Sequence, residues 1–207
     1  MAPHIDTPRL SLERFAMSDA DELFQCITPA VTKFMTWDPP SFDDYKSRCE
    51  ALSRVDERTE AQFVIRRKDT RECLGIAGVE RLGDALPELG IWMKETAHRQ
   101  GYGREAVEAV ARWAFRTCNG NGLIYPVAIE NIASRRIAEG LKGEVIATRS
   151  GPKYDSVVYK ISSPAPRSLV PAALYPWELS EADLAALEAS ETPAVAALHD
   201  HEYRAPE

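Results

Sequence analysis

A chain of 207 residues, 44% hydrophobic and 28% charged, has the makeup of a globular protein, long enough for one well-buried domain and a short appendage but too short for two ordinary domains. Its formal net charge of −7 argues against a nucleic-acid backbone as the main partner, because phosphate binding is driven by clustered Lys and Arg, although a local basic site stays open. No run approaches the roughly 18 apolar residues that span a bilayer, and the opening Met-Ala-Pro-His-Ile-Asp lacks the basic and apolar regions of a signal peptide, so the expectation is a cytoplasmic protein with no membrane partner.

In chain order, residues 9–15 alternate Leu10, Leu12 and Arg14 with Ser11 and Glu13, which predicts a half-buried strand. Ser18 followed by Asp21, and Ser41 followed by Asp44, predict two helix starts, the second opening a helix over 45–55. Between them Phe34, Met35, Thr36 and Trp37 form an aromatic loop that Pro39 and Pro40 bar from helix. Residues 61–66, 73–82 and 86–93 read as strands, and the turns joining them are short enough to make the three antiparallel. Val107, Val110, Ala111 and Ala114 at helical spacing predict a long helix over 103–116. A strand at 123–129, a helix from Asn131 through Leu141, and a hairpin of 144–148 with 156–161 around Gly151-Pro152 complete the pattern. The predicted fold class is α/β of the α+β kind: a mixed, mostly antiparallel central sheet of about six to seven strands flanked by helices.

Pro164, Pro166, Pro171 and Pro176 mark a boundary, which predicts one domain over 1–162 and a proline-rich extension over 163–207 with one short helix near 181–190. Cys26, Cys49, Cys73 and Cys118 are widely spaced and form no C-x-x-C pair, so they are read as reduced thiols. His199 and His201 are the only close histidines, and no metal is expected.

The informative stretch is 88–106, Glu-Leu-Gly-Ile-Trp-Met-Lys-Glu-Thr-Ala-His-Arg-Gln-Gly-Tyr-Gly-Arg-Glu-Ala, a strand feeding a glycine loop that opens a helix. A helix start presents unpaired N–H groups and the positive end of a dipole, and Gly101 and Gly103 let that backbone approach a phosphate; the plain alternative is a helix cap with convenient glycines. Gly101-x-Gly103-x-x-Ala106 also satisfies the loose dinucleotide fingerprint, with Glu130 roughly 20 residues on. Topology points away from an NAD-binding oxidoreductase, since that fold needs successive strand–helix units. A Walker loop is excluded because no Gly-Lys-Ser/Thr follows.

With these runs the chain resembles the GCN5-related N-acetyltransferases, and within them the RimJ/RimL branch. The resemblance covers about residues 7–162 and rests on Thr7-Pro8-Arg9-Leu10, Phe34-Met35-Thr36-Trp37, Glu88-Leu89-Gly90-Ile91-Trp92, Gln100-Gly101-Tyr102-Gly103-Arg104-Glu105-Ala106, Asn131 with Ser134-Arg135-Arg136, and residues 155–159. It implies acetyl-CoA as co-substrate, held at the diphosphate by the loop His98, Arg99, Gln100, Gly101, Tyr102, Gly103 and Arg104. It also implies that Ile91, Trp92 and Met93 pair with the pantetheine arm and offer an N–H to the thioester oxygen, while Asn131 bonds that arm. His98 departs from the family's usual first loop residue. Glu88 shares a strand face with Gly90 and Trp92, which suits it to take a proton from the acceptor directly or through water; its plain reading is a solvated charge. Ser134 matches the position where RimL-like members place a thiolate-directed hydroxyl, or is an ordinary first-turn serine. The tyrosine that many members use as acid would fall at Ala138, and Gly140 and Lys142 replace the usual Lys and Gly of an E-K-L-G run. Trp37 is the residue expected at the acceptor, and Arg135 and Arg136 either reach the adenosine phosphates or sit on a solvated face. The expected partner is an amine, either a peptide N-terminus or a small molecule, and the resemblance also allows a homodimer. A catalytically weak CoA-binding sensor or scaffold is the alternative of a different class.

Overall fold

In the computed structural model, which describes residues 4–56, 58–117 and 122–163, the strand expected at 9–15 is Leu10–Arg14 (β2), preceded by a three-residue strand His4–Asp6 (β1). The helices Ala20–Gln25 (α1), Pro29–Thr32 (α2) and Phe42–Ser53 (α3) follow, then the meander Glu60–Arg67 (β3), Cys73–Glu80 (β4) and Glu88–Met93 (β5). Tyr102–Thr117 (α4), Gly122–Ala128 (β6), Ile132–Gly140 (α5), Glu144–Arg149 (β7) and Ser156–Ser162 (β8) complete the order. The sheet has eight strands, one more than expected because of β1. Cys118 and the helix expected near 181–190 lie outside the described residues. Among the described residues no helix is long and apolar enough to cross a membrane, and no three His, Cys, Asp or Glu side chains gather as metal ligands.

Local chemistry accounts for the element boundaries. The Ser41 hydroxyl accepts from the Asp44 N–H at 3.2 Å, the cap expected for α3. Ser18 caps nothing: it lies inside the single 3-10 turn Met17–Asp19, and the Asp19 carboxylate accepts from the Ala16 N–H at 2.9 Å, so the chain is captured a step earlier. At the end of α5, Lys142 takes a left-handed φ of 58°, where a side chain costs about 1–2 kcal/mol that glycine does not. The helix closes nonetheless, with the Gly143 N–H donating to the Ala138 carbonyl at 2.8 Å.

The strands run β1-β2-β3-β4-β5-β6-β8-β7. Register and alternation place Phe63, Ala77 and Ile91 side by side on one face, where α4 lies with Trp113 edge-on to Phe63 at 5.0 Å. On the other face Val64, Cys73 and Ile76 bury Leu23, Cys26, Tyr45 and Cys49 of α1, α3 and the turn between; the three described cysteines are free and buried, as read from their spacing. The feature that positions the site is a break in the ladder. β4 and β5 pair over six residues and β6 and β8 over seven, but β5 and β6 meet in parallel at one register pair, Glu88 with Ile124, and then diverge. A single parallel pair after an antiparallel meander is not a dinucleotide-binding fold.

Candidate active site

The start of α4 is built by tying down side chains and leaving main chain free. Arg99 and Gly101 take left-handed φ angles of 60° and 81°, the kind of backbone from which anion-binding nests are made. The His98 Nε2–H donates to the Met93 carbonyl at 2.8 Å, and Gln100 donates to the Thr96 carbonyl at 2.6 Å, so both side chains brace the loop. The first-turn amides of α4 have no partner within the helix. Arg99 and Arg104 are exposed beside them. A Cβ on Gly103 would stand 3.3 Å from the Met93 sulfur and 3.6 Å from Ile137, and one on Gly101 3.2 Å from the Arg9 guanidinium.

That guanidinium belongs to a brace which the Thr7-Pro8-Arg9-Leu10 run did not disclose. Arg9 donates through Nε to Glu105 at 2.7 Å and through Nη1 to the Gln100 carbonyl at 2.9 Å, and it stacks over the Tyr102 ring at 4.5 Å. The Thr7 hydroxyl and the Arg9 N–H donate to the other Glu105 oxygen at 2.6 and 2.9 Å. Burial raises the Glu105 pKa, but these donors outweigh it and hold the carboxyl below the ordinary range. An acid in the first turn of α4 is thereby held by three donors from the chain around β2.

Where β5 and β6 part, a cleft of about 530 Å³ opens. Gly90, Ile91 and Trp92 line one side and Tyr125, Val127 and Ala128 the other, with Asn131 and Ser134 of α5 at its rim. The facing backbone edges are unpaired along the gap, a template for an extended ligand arm. Asn131 caps α5 by accepting from the Ser134 N–H at 3.2 Å, which leaves its NH₂ group to donate elsewhere. Arg135 is not free for phosphates: its Nε donates to the Tyr159 hydroxyl at 3.0 Å. Arg136 is exposed.

Glu88 and Trp37 also line the cleft. The Glu88 carboxylate accepts from Arg149 at 3.0 Å and from Arg81, so it is oriented by two cations and is not a loose surface charge. Glu60, Glu80 and Glu88 stand in register across β3, β4 and β5. Glu80, which sequence reasoning passed over, also lines the cleft; burial of its carboxyl, then repulsion from Glu60 and Glu88, push its pKa up. Trp37 lies under the Arg48 guanidinium at 5.8 Å. Its loop is latched by Lys153 of the β7–β8 turn, whose ammonium donates to the Thr32 and Trp37 carbonyls at 3.0 and 3.1 Å and to Asp38 at 2.6 Å. Lys153→Met removes these three charge-assisted bonds and is expected to lower the melting temperature by several degrees, which thermal unfolding checks.

A model of the acetyltransferase (GNAT) domain matches residues 9–144. YoaA, an uncharacterized N-acetyltransferase of Bacillus subtilis (strain 168), is 25% identical over 180 residues, which is 79% of this chain and 99% of that one. Among solved structures, a GNAT-family acetyltransferase from Bacillus anthracis matches with a TM-score of 0.69 at 17% identity, covering 77% of this chain and 98% of that one. RimL, a ribosomal L7/L12 alpha-N-protein acetyltransferase in complex with coenzyme A, matches with a TM-score of 0.67 at 15% identity, covering 77% and 98%. The chain belongs to the GNAT acetyltransferase family and is an acyltransferase.

Proposed function

We propose that this chain, working as the RimL-like members do, moves the acetyl group of acetyl-CoA onto a primary amine by direct attack, the acceptor being a peptide N-terminal α-amine or a small amine. The observation that carries this is the pairing of a glycine-opened helix start with the gap between β5 and β6, which is lined by the oriented Glu88 carboxylate. Acetyl-CoA supplies an acetyl group activated as a thioester. The main-chain amides of 99–104 hold its diphosphate, with Arg99 and Arg104 alongside. The edge of Ile91, Trp92 and Met93 pairs with the pantetheine arm, together with the Asn131 NH₂ group, and presents an N–H to the thioester oxygen. Glu88, pinned by its arginines, takes the acceptor's proton through water, and Ser134 offers its hydroxyl to the leaving sulfur. Trp37 walls the acceptor. An α-amine, with a free pKa of about 8 against about 10.4 for lysine, needs less help from a base, and this favours the N-terminal acceptor. We assign the catalytic domain to residues 1–162 and regard 163–207 as an extension of it.

Calorimetric titration with acetyl-CoA, desulfo-CoA and NAD, followed by thiol release in the presence of peptide and small amines, tests the proposal. Acetyl-CoA is expected to bind and NAD not to, and Glu88→Gln and Ser134→Ala are each expected to lower kcat by about 100-fold with acetyl-CoA affinity kept. Binding without amine-dependent release would favour a CoA sensor instead. No binding would return the glycine loop to a helix start.

A further inference from the structure

Two tyrosines lie opposite one another in the β6–β8 ladder, Tyr125 and Tyr159, at 3% and 2% exposure. Tyr159 is fully partnered: its hydroxyl accepts from Arg135 and donates to Glu139 at 3.1 Å, both on α5. The Tyr125 hydroxyl, equally buried, meets no partner with hydrogen-bond geometry. A buried phenol left bare costs stability, and such groups call for an explanation. Tyr125 lines the cleft between β5 and β6, as does Ser134. Burial pushes its phenol up to about 12, and only the Ser134 hydroxyl pulls the other way, so it stays neutral and able to donate at any working pH. One helical turn beyond Ser134, on the same side of α5, the fully buried Ala138 offers no polar group.

We propose that Tyr125 is a positioning residue for acyl transfer: its phenol, bare in the apoprotein, donates to the Ser134 oxygen once acetyl-CoA fills the cleft and thereby directs the Ser134 O–H at the sulfur of the departing thiolate. The inference rests on the role given to Ser134 under Proposed function. As the nitrogen–carbon bond forms and the carbon–sulfur bond breaks, the electron pair goes to sulfur. Ser134 gives sulfur its proton and recovers one from solvent, matching the proton that the amine nitrogen loses through water to Glu88. Tyr125 keeps its proton throughout.

Tyr125→Phe separates this from a packing role, because it deletes only the bare hydroxyl. The apoprotein is expected to melt at the same temperature as the wild type or slightly higher. At the same time kcat should fall about tenfold with KM for acetyl-CoA unchanged, and the fall should vanish in a Ser134→Ala background. A readout apart from turnover is the preference for CoA over desulfo-CoA: a donor aimed at sulfur favours the thiolate, so the wild-type preference should grow with pH and shrink about tenfold in Tyr125→Phe. Wild-type kcat and thiol preference in Tyr125→Phe would overturn the proposal, as would a loss of equal size with and without Ser134. If Ser134→Ala is itself fully active, the reading of Ser134 fails and takes this one with it. If Ser134→Ala is slow and Tyr125→Phe is not, only the role of Tyr125 fails.

Discussion

Acetyl-CoA affinity is expected to fall by about 10²–10⁴-fold when Gly101 and Gly103 are both changed to valine, while the melting temperature moves by only a few degrees. Gly101 sits at a φ of 81°, where a β-branched side chain is strained by about 1–3 kcal/mol, and its Cβ would press on the Arg9 guanidinium at 3.2 Å. On Gly103 a Cβ meets the Met93 sulfur and Ile137, both side-chain ends that can yield, but a valine adds two methyl groups to that crowded helix start. Losing two hydrogen bonds to a charged group, each worth about 1.5–3 kcal/mol, yields the stated range. Calorimetric titration of the double variant checks it, and Gly103→Ala, which only nudges Met93, should retain most of the affinity. Unchanged binding in the double variant would mean that the diphosphate does not rest on this helix start.

The second large effect is expected at a residue outside the lining of the cleft. Arg9→Ala leaves the Glu105 carboxylate, only 15% exposed, without its cation beside the start of α4. Repulsion between that charge and a diphosphate is of order 2 kcal/mol at the dielectric of a protein surface, so affinity for acetyl-CoA should drop about 30-fold. Glu105→Gln in the same chain should restore most of it, since no charge then remains to repel. The pH dependence has a definite sign. The folded-state pKa of Glu105 is depressed, so its contribution to stability is complete above the ordinary value of 4.5 and is lost as the pH falls through the lower folded value. In Arg9→Ala that depression shrinks, and the acid limb of the unfolding profile should flatten below about pH 4.5. Binding and acid-unfolding curves of the wild type and the two variants decide the matter; an Arg9→Ala protein that binds normally would reduce the brace to a surface ion pair.

Much of this arrangement was legible because its parts are contiguous. The stretch 88–106 carries strand, loop and helix in one run, and the alternation of Leu10 and Leu12 and the Ser41–Asp44 cap announced β2 and α3. Other parts were obscured by local competition. Ser18 looked like a cap, but the neighbouring Asp19 reached the open N–H first. Thr28 caps α2 with Pro29 at its first position, a readable signal masked by the short helix it opens. The residues that meet only through register could not be found by spacing. Glu80 comes beside Glu88 because the β4–β5 ladder pairs them, and Tyr125 comes into the cleft because β5 and β6 diverge. Arg9 and Glu105 are 96 positions apart, and opposite charge alone does not single out that pair among 25 basic and 32 acidic residues.

The two halves of the cleft are written differently along the chain. The wall built from 88–106 is nearly one uninterrupted stretch braced by Thr7 and Arg9, whereas the wall that carries Trp37 is a seam between two loops that Lys153 joins across 115 residues. The Trp37 loop can lengthen, shorten or trade its aromatic residues without disturbing the β4–β5 ladder or the glycines that open α4, whereas the β7–β8 turn follows directly on Arg149, which holds Glu88. On the proposed function, one acceptor can therefore be exchanged for another by altering the Trp37 loop alone, while the glycine-opened helix start is inherited intact.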